Sequence, residues 1–197
     1  MCQLCCPVYH SLCEGSSPVS SPTEQLTTAR LVLRPYRDGD VDHIVAYATL
    51  EPWSRYLPVP VPYTRDHAVE FVAEMMALDP VVHEAWAITL DDTVVGGINI
   101  RFFCDGMIGE LGWSLAPWVW GQGCATEAAR AVLDTAFTGR QQLVRVRAMA
   151  DVRNVPSQRV MEKIGLVREG TLRQNRTTRG ELIDEVWYGI LREEWLA

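Results

Sequence analysis

The residues best suited to chemistry lie in WGQGCATEAAR, residues 120–130. Gly121 and Gly123 run straight into helix-forming residues, and the small Cys124 and Ala125 add no obstruction. A glycine-rich turn that opens a helix presents free backbone N–H groups at the positive end of the helix dipole, so it suits an anion, often a phosphate. Three phosphate-binding designs compete. A P-loop needs a lysine after its last glycine to reach terminal phosphates, and Cys124 stands there instead. A dinucleotide fingerprint needs a third Gly or Ala three residues on, then an acid about 20 residues further along. Thr126 occupies the third place, and Asp151, the nearest strand-end acid, lies beyond that spacing. The third design is a short strand, a tight turn and a helix N-terminus whose backbone alone holds a pyrophosphate. It needs no lysine, and it fits.

Other reactive side chains make weaker patterns. Cys2, Cys5, His10 and Cys13 are candidate zinc ligands, but their spacing is irregular and nothing around them bears a fold. The competing reading is a disordered leader. No histidine stands near Cys124 in its motif, so a small residue at a helix start is preferred over a thiol nucleophile. His43, His67 and His83 lack metal-ligand spacing, and no metal is expected. The net charge of −7 argues against broad nucleic-acid binding, which needs a basic footprint. It is compatible with a cationic substrate such as an amine. With 48% hydrophobic residues and no apolar run of bilayer length, the expectation is a soluble globular protein away from membranes. The start lacks a basic n-region and an apolar h-region, so a cytoplasmic, reducing location is the default.

The elements that must position the turn follow from pattern. GSSPVSSPTEQ (15–25) reads as a linker, which gives a Cys-rich leader and linker over 1–26 and one folded domain over 27–197. ARLVLRPY (29–36) has strand composition, and Val41, Ile44, Val45 and Ala48 share a helical face. Residues 51–64 hold four prolines among large aromatics and read as a long semi-rigid loop without regular helix. Thr64 caps a helix whose stripe is Ala68, Phe71, Val72, Met75 and Met76, read as core. Strands at 85–90, 93–103 and 108–116 form an antiparallel meander, with turns at Asp91-Asp92 and Cys104-Asp105-Gly106. A helix follows to about Phe137, with Ala125, Ala128, Val132, Leu133 and Ala136 inward and Gly139 as its stop. A strand at 142–150 precedes a helix capped by Asn154, with Pro156 in its first turn and Gly165 past its end. A hairpin of 166–174 and 181–191, turning around TTRG, closes the chain.

PWVWGQGCATEAARAVLDTAF resembles the acetyl-CoA-binding motif of the GNAT acetyltransferase superfamily, Gln/Arg-x-x-Gly-x-Gly/Ala, which falls on Trp120, Gly121, Gln122, Gly123, Cys124 and Ala125. Trp120 departs from the general pattern and matches the WGxGxATEA form of the RimJ/RimL-like branch, acetylases of ribosomal-protein N-termini. ARLVLRPYRDGDVDHI, NVPSQRVMEKIGLVREGTLR and GELIDEVWYGILREEW also resemble that branch, so the similarity runs from about residue 27 to 197 in the right order. The resemblance implies an α+β GNAT-like fold: a central, mostly antiparallel twisted sheet of about seven strands, splayed between the fourth and fifth, with about four helices.

It also implies roles. The pyrophosphate would sit on residues 121–126, Thr126 included. The pantetheine arm would lie between the strands at 108–116 and 142–150, which the family splays at a bulge near Ser114, Leu115 and Ala116. The N–H of Leu115 would face the acetyl oxygen. Asn154 and Ser157 belong to the cofactor side. Many relatives place a tyrosine acid four residues further on, where this chain has Met161, so Ser157 is the implied general acid. The glutamate that some relatives carry after the sixth strand is unmatched in RQNRTTRG, and Glu110 is the first candidate for the base, directly or through water. Trp53, Arg55, Tyr56 and Tyr63 are candidates to line the acceptor pocket, with packing of the proline-rich loop an equal reading.

The expected activity is acetyl transfer from acetyl-CoA to a primary amine by direct attack in a ternary complex. A protein N-terminus is the first acceptor. A polyamine, amino sugar or amino acid is the second, and a non-catalytic acyl-CoA-binding module the remaining alternative. A homodimer is left open.

Overall fold

A computed structural model of the chain describes residues 24–197. The Cys-rich leader, with its candidate zinc ligands, lies outside the described residues. Eight strands form one sheet in the order β1-β2-β3-β4-β5-β6-β8-β7. The strands are β1 (Leu26–Thr27), β2 (Leu31–Arg34), β3 (His83–Leu90), β4 (Thr93–Phe103), β5 (Ile108–Leu115), β6 (Arg145–Asp151), β7 (Val167–Thr178) and β8 (Glu181–Leu191). Six helices accompany them: α1 (Val41–Ala48), α2 (Glu51–Ser54), α3 (Arg65–Met76), α4 (Cys124–Gly139), α5 (Val155–Lys163) and α6 (Arg192–Leu196). The mixed α+β class is as expected from sequence. The strand beyond seven is the two-residue β1, and the helices beyond four are the short α2 and α6.

The departures have local causes. Pro52 sits in the first turn of α2, where a proline costs no hydrogen bond, so the proline-rich segment opens with one helical turn. Residues 142–144 belong to the connection before β6, with Leu143 N–H donating to the Arg140 carbonyl. The last hairpin is longer than its pattern suggested, and its turn is Arg179-Gly180, both at positive φ. Gly139 is the last residue of α4 rather than its stop. On α3, Ala68 and Val72 are buried while Met76 faces solvent, because that helix packs one side against α1 and leaves the other in solvent.

Three consecutive pairings, β2 through β5, are antiparallel, and the turns expected at Asp91-Asp92 and Cys104-Asp105-Gly106 are present, in left-handed backbone. The parallel pair is β5 with β6, and it is short. It joins Ile108, Gly109 and Glu110 to Arg145, Val146 and Arg147, after which β5 runs on to Leu115 and β6 to Asp151 without pairing to each other. Two strands that part in mid-sheet expose main-chain groups that would otherwise be paired. The core continues beneath the gap through Val132, Leu133, Phe137, Val146 and Ile190. It is this wedge, with α4 starting at its open end, that positions the site.

Candidate active site

The turn before α4 is built as the glycines require. Gly121 has φ +74° and Gly123, the helix N-cap, has φ +84°, a region that costs a side-chain-bearing residue about 1–2 kcal/mol. The first α4 N–H with a backbone partner is that of Glu127, which donates to the Gly123 carbonyl at 3.0 Å. The N–H groups of Cys124, Ala125 and Thr126 precede it and have no place in the helical ladder. Cys124 is buried, and nothing stands within 4 Å of where a Gly121 side chain would begin. Trp120 donates its indole N–H to the Leu115 carbonyl at 2.8 Å, and Gln122 donates to the Trp118 carbonyl at 2.8 Å. The tryptophan therefore ties the turn to the end of β5.

Arg30 is a residue that sequence reasoning missed. Its guanidinium pairs with Glu127 at 2.7 Å and donates to the Gln122 carbonyl at 3.0 Å, and Thr28 donates to the same carboxylate at 2.6 Å. Partial burial opposes ionisation of Glu127, yet the bonds from Thr28 and Arg30 hold its carboxyl below the usual range. A carboxylate in the first turn of α4 is thus neutralised, which removes a repulsion that any phosphate at the turn would meet. Residues 97 positions apart leave no local trace of such a contact.

At the end of β5 the Ala116 N–H donates to the Val95 carbonyl on β4 at 2.7 Å. Strand N–H groups alternate sides, so those of Leu115 and Trp113 point the other way, toward the wedge. Leu115 was expected there; Trp113 joins it by the same parity. Ala116 is fully buried and closes the strand.

A cavity of about 390 Å³ opens from the wedge and brings together Ser114, Asn154, Ser157, Glu110 and Tyr56. Register explains its floor. The pairs Gly97–Ser114, Asn99–Gly112 and Arg101–Glu110 set these six residues on one face of the sheet, where the glycines leave room. Tyr36, Phe71, Met75 and Leu57 form the opposite wall, with Tyr36 and Phe71 in edge contact at 5.5 Å. Asn154 caps α5 by accepting the Ser157 N–H at 3.2 Å, which leaves the Ser157 hydroxyl for the cavity. Tyr56 donates to the Arg153 carbonyl at 3.3 Å. Trp53, Arg55 and Tyr63 stand away from the cavity. Trp53 is buried between Tyr47 and Tyr63, and Arg55 faces solvent beside Glu51.

The cavity's carboxylates are already partnered. Glu110 takes Arg147 at 2.9 Å, at the last rung before β5 and β6 part. Asp151 takes Arg153 at 2.6 Å, and that hydrogen bond, against some burial, holds its carboxyl low. Arg176 pairs with Glu185 at 3.0 Å. His83 bonds Asn99 at 3.2 Å, while the Asn99 amide donates to the Gly112 carbonyl at 3.4 Å. Asn99 thus turns its oxygen to His83, so the imidazole donates from Nε2. Burial, ahead of the effect of Arg101, lowers the His83 pKa, and the ring is neutral at neutral pH. Asn99, Arg101 and Arg176 were not singled out from sequence, and His83 was noted there only as lacking metal-ligand spacing, since only strand register places the four together. Among the described residues no group of side chains is arranged to hold a metal, and no helix is long and apolar enough to cross a membrane.

The comparisons agree with this geometry. A family model described as an acetyltransferase (GNAT) domain matches residues 30–167. The uncharacterized N-acetyltransferase YnaD of Bacillus subtilis is 32% identical over 172 residues, 86% of this chain and 98% of that protein. The crystal structure of a GNAT-family acetyltransferase from Bacillus anthracis superposes with a TM-score of 0.78 at 30% identity, covering 86% of this chain and 99% of the other. A spermidine N-acetyltransferase from Vibrio cholerae, in complex with CoA and spermine, shares the fold at 22% identity, with a TM-score of 0.71 over 86% and 99% of the two chains. With a family model spanning most of its length, a sheet parted between β5 and β6 and an open glycine turn at that gap, the chain belongs to the GNAT family of N-acetyltransferases.

Proposed function

We propose that the chain transfers the acetyl group of acetyl-CoA to the N-terminal amine of a protein, as a member of the RimJ/RimL-like branch. The observation that carries the acetyl-CoA part is the adjacency of the wedge and the turn. N–H groups of Cys124, Ala125 and Thr126 stand ready for a diphosphate, and the edge of β5 beyond Glu110 stands ready for an extended amide-bearing arm. The residues present fit the coenzyme, since no side chain crowds Gly121 and Glu127 is neutralised by Arg30. Bound there, acetyl-CoA supplies the thioester.

The chain's own residues then do four things. The turn and the β5 edge hold the donor in place. The Leu115 N–H polarises the acetyl oxygen as charge develops on it. Ser157, whose backbone is fixed by Asn154, gives a proton to the departing thiolate. The amine loses its proton toward Glu110 through water, because Glu110 lies five residues from Leu115, about 17 Å along an extended strand.

For the acceptor, the branch motif WGxGxATEA favours a protein N-terminus. The partnered carboxylates Glu110 and Asp151 count against a polyamine, which needs anions free to receive its second charge. Thiol release from acetyl-CoA, measured against N-terminal peptides, spermidine and aminoglycosides, tests the assignment. Turnover of peptides is expected. Turnover of spermidine alone would replace the acceptor, and acetyl-CoA binding without turnover of any amine would make the chain a binding module.

A further inference from the structure

The far end of the cavity has a charge that the protein leaves unanswered. Four ionised side chains line the cavity: Arg101, Glu110, Asp151 and Arg176. Glu110, Asp151 and Arg176 each have a partner of opposite sign within 3.0 Å. The Arg101 side chain makes no hydrogen bond or ion pair among the described residues. Its two cross-strand neighbours explain why. Glu110, directly opposite on β5, is turned to Arg147 on the next strand, and His83, directly opposite on β3, is neutral and held by Asn99. Once the pairs are cancelled, the cavity carries one net positive charge, at the end away from the acetyl site.

The position sets a length. Arg101 is four residues along β4 from Gly97, the partner of Ser114. At about 3.3 Å per residue that is roughly 13 Å between backbone positions, and the arginine side chain shortens the gap. An extended peptide covers about 3.3–3.6 Å per residue, so the interval suits the span from an N-terminal amine to its third residue. A free amino acid is too short, and a polyamine would bring a second cation to Arg101.

We infer that Arg101 forms an anion subsite of the acceptor cavity, and that the acceptor is an N-terminal amine followed, about three residues on, by a carboxylate. This rests on the protein N-terminus reading above and narrows it. The carboxylate has two sources: an acidic side chain near the start of a longer chain, or the C-terminus of a short peptide. Arginine is suited to either, because its fork takes both carboxylate oxygens. Since Arg101 is exposed, solvent screens the pair, and at most about fivefold in kcat/KM is expected rather than the effect of a buried pair.

The test compares C-terminally amidated peptides carrying Glu, Gln or Lys as the third residue, together with one tripeptide as its free acid and as its amide. Each is assayed by thiol release with the wild-type protein, Arg101→Gln and Arg101→Glu. The wild type is expected to favour Glu over Gln by up to about fivefold and to disfavour Lys. Arg101→Gln should bring Glu and Gln within about twofold, and Arg101→Glu should turn the preference toward Lys. A preference confined to the tripeptide acid over its amide would also support the subsite and identify a terminal carboxylate as its ligand. Equal turnover of all peptides by the wild type would overturn the anion subsite and leave the N-terminal acceptor standing. Turnover of no peptide, with acetyl-CoA still bound, would overturn the acceptor reading itself.

Discussion

Gly97→Ala probes the cavity wall through a single methyl group. A Cβ built at Gly97 would stand 2.0 Å from the hydroxyl oxygen of Tyr36, far inside contact distance, and 3.4 Å from the ring carbon that bears it. Tyr36 is 7% exposed and in edge contact with Phe71, so its ring moves only by disturbing α3. Overpacking of this kind costs about 1–3 kcal/mol, and the depth of the overlap argues for the upper end. For a domain of this size about 3 kcal/mol lowers Tm by roughly 6–12 °C. Tyr36→Phe removes the offending oxygen and leaves an ordinary contact to the ring. Alone it should cost at most about 1 kcal/mol, and combined with Gly97→Ala it should recover most of the loss, a coupling of about 2 kcal/mol. Urea denaturation of the four proteins measures the cycle. Because Tyr36 lines the acceptor side, Gly97→Ala should also raise acceptor KM while leaving acetyl-CoA KM within about twofold. An alanine variant as stable as wild type, or one that Tyr36→Phe fails to rescue, would refute the placement of Tyr36 over the glycine.

Three further outcomes are expected. Gly123→Glu should weaken acetyl-CoA binding by at least about 100-fold in calorimetry, since it strains a residue at φ +84° and puts a carboxylate where a diphosphate would lie; unchanged affinity would remove the turn from the binding site. Ser157→Ala should lower kcat on the order of 100-fold with acetyl-CoA affinity unchanged, because Asn154 is bonded to the Ser157 backbone and not to its hydroxyl; an unaltered kcat would send the leaving-group proton elsewhere. Asp40 is 1% exposed and takes Arg34 at 2.6 and 2.9 Å; although burial opposes ionisation, those bonds and the Arg37 N–H lower its carboxyl pKa. A depressed folded-state pKa means that the stabilisation is complete above the unfolded value of 3.8 and is lost as pH falls through the lower folded value. Asp40→Asn should therefore cost about 3 kcal/mol at pH 7 by leaving Arg34 unpaired, with the gap from wild type narrowing below pH 4 in denaturant titrations. A gap independent of pH would count against the ion pair.

Parts of this molecule governed by neighbouring residues were legible before its structure. The glycine turn that opens α4 and Asn154 capping α5 follow from a few adjacent positions, and the same holds for the meander turns at Asp91-Asp92 and Asp105-Gly106. Pro52 was misread for a local reason as well, since a proline forbids helix interior but not a first turn. Register and distance account for what was not legible. Arg30 reaches Glu127 across 97 positions, and Tyr36 lies on Gly97 across 61, so no window of sequence contains either pair.

Glu110 shows how register decides chemistry. Its residue type and strand position suit a base, and its side of the sheet is the cavity side, as alternation requires. Whether its carboxylate is free depends on which residue of β6 stands opposite, and that is Arg147 at the last rung of the parallel pair. The same rung marks where β5 and β6 part, so the engaged carboxylate and the opening of the wedge have one origin. It also leaves Arg101 without the partner that lies directly across from it on β5. If the pair had stayed closed as far as Leu115, the Trp113 and Leu115 N–H groups now facing the wedge would be spent in a ladder. The point at which two strands stop pairing thus fixes together the donor edge, the engaged state of Glu110 and the free charge at the acceptor end.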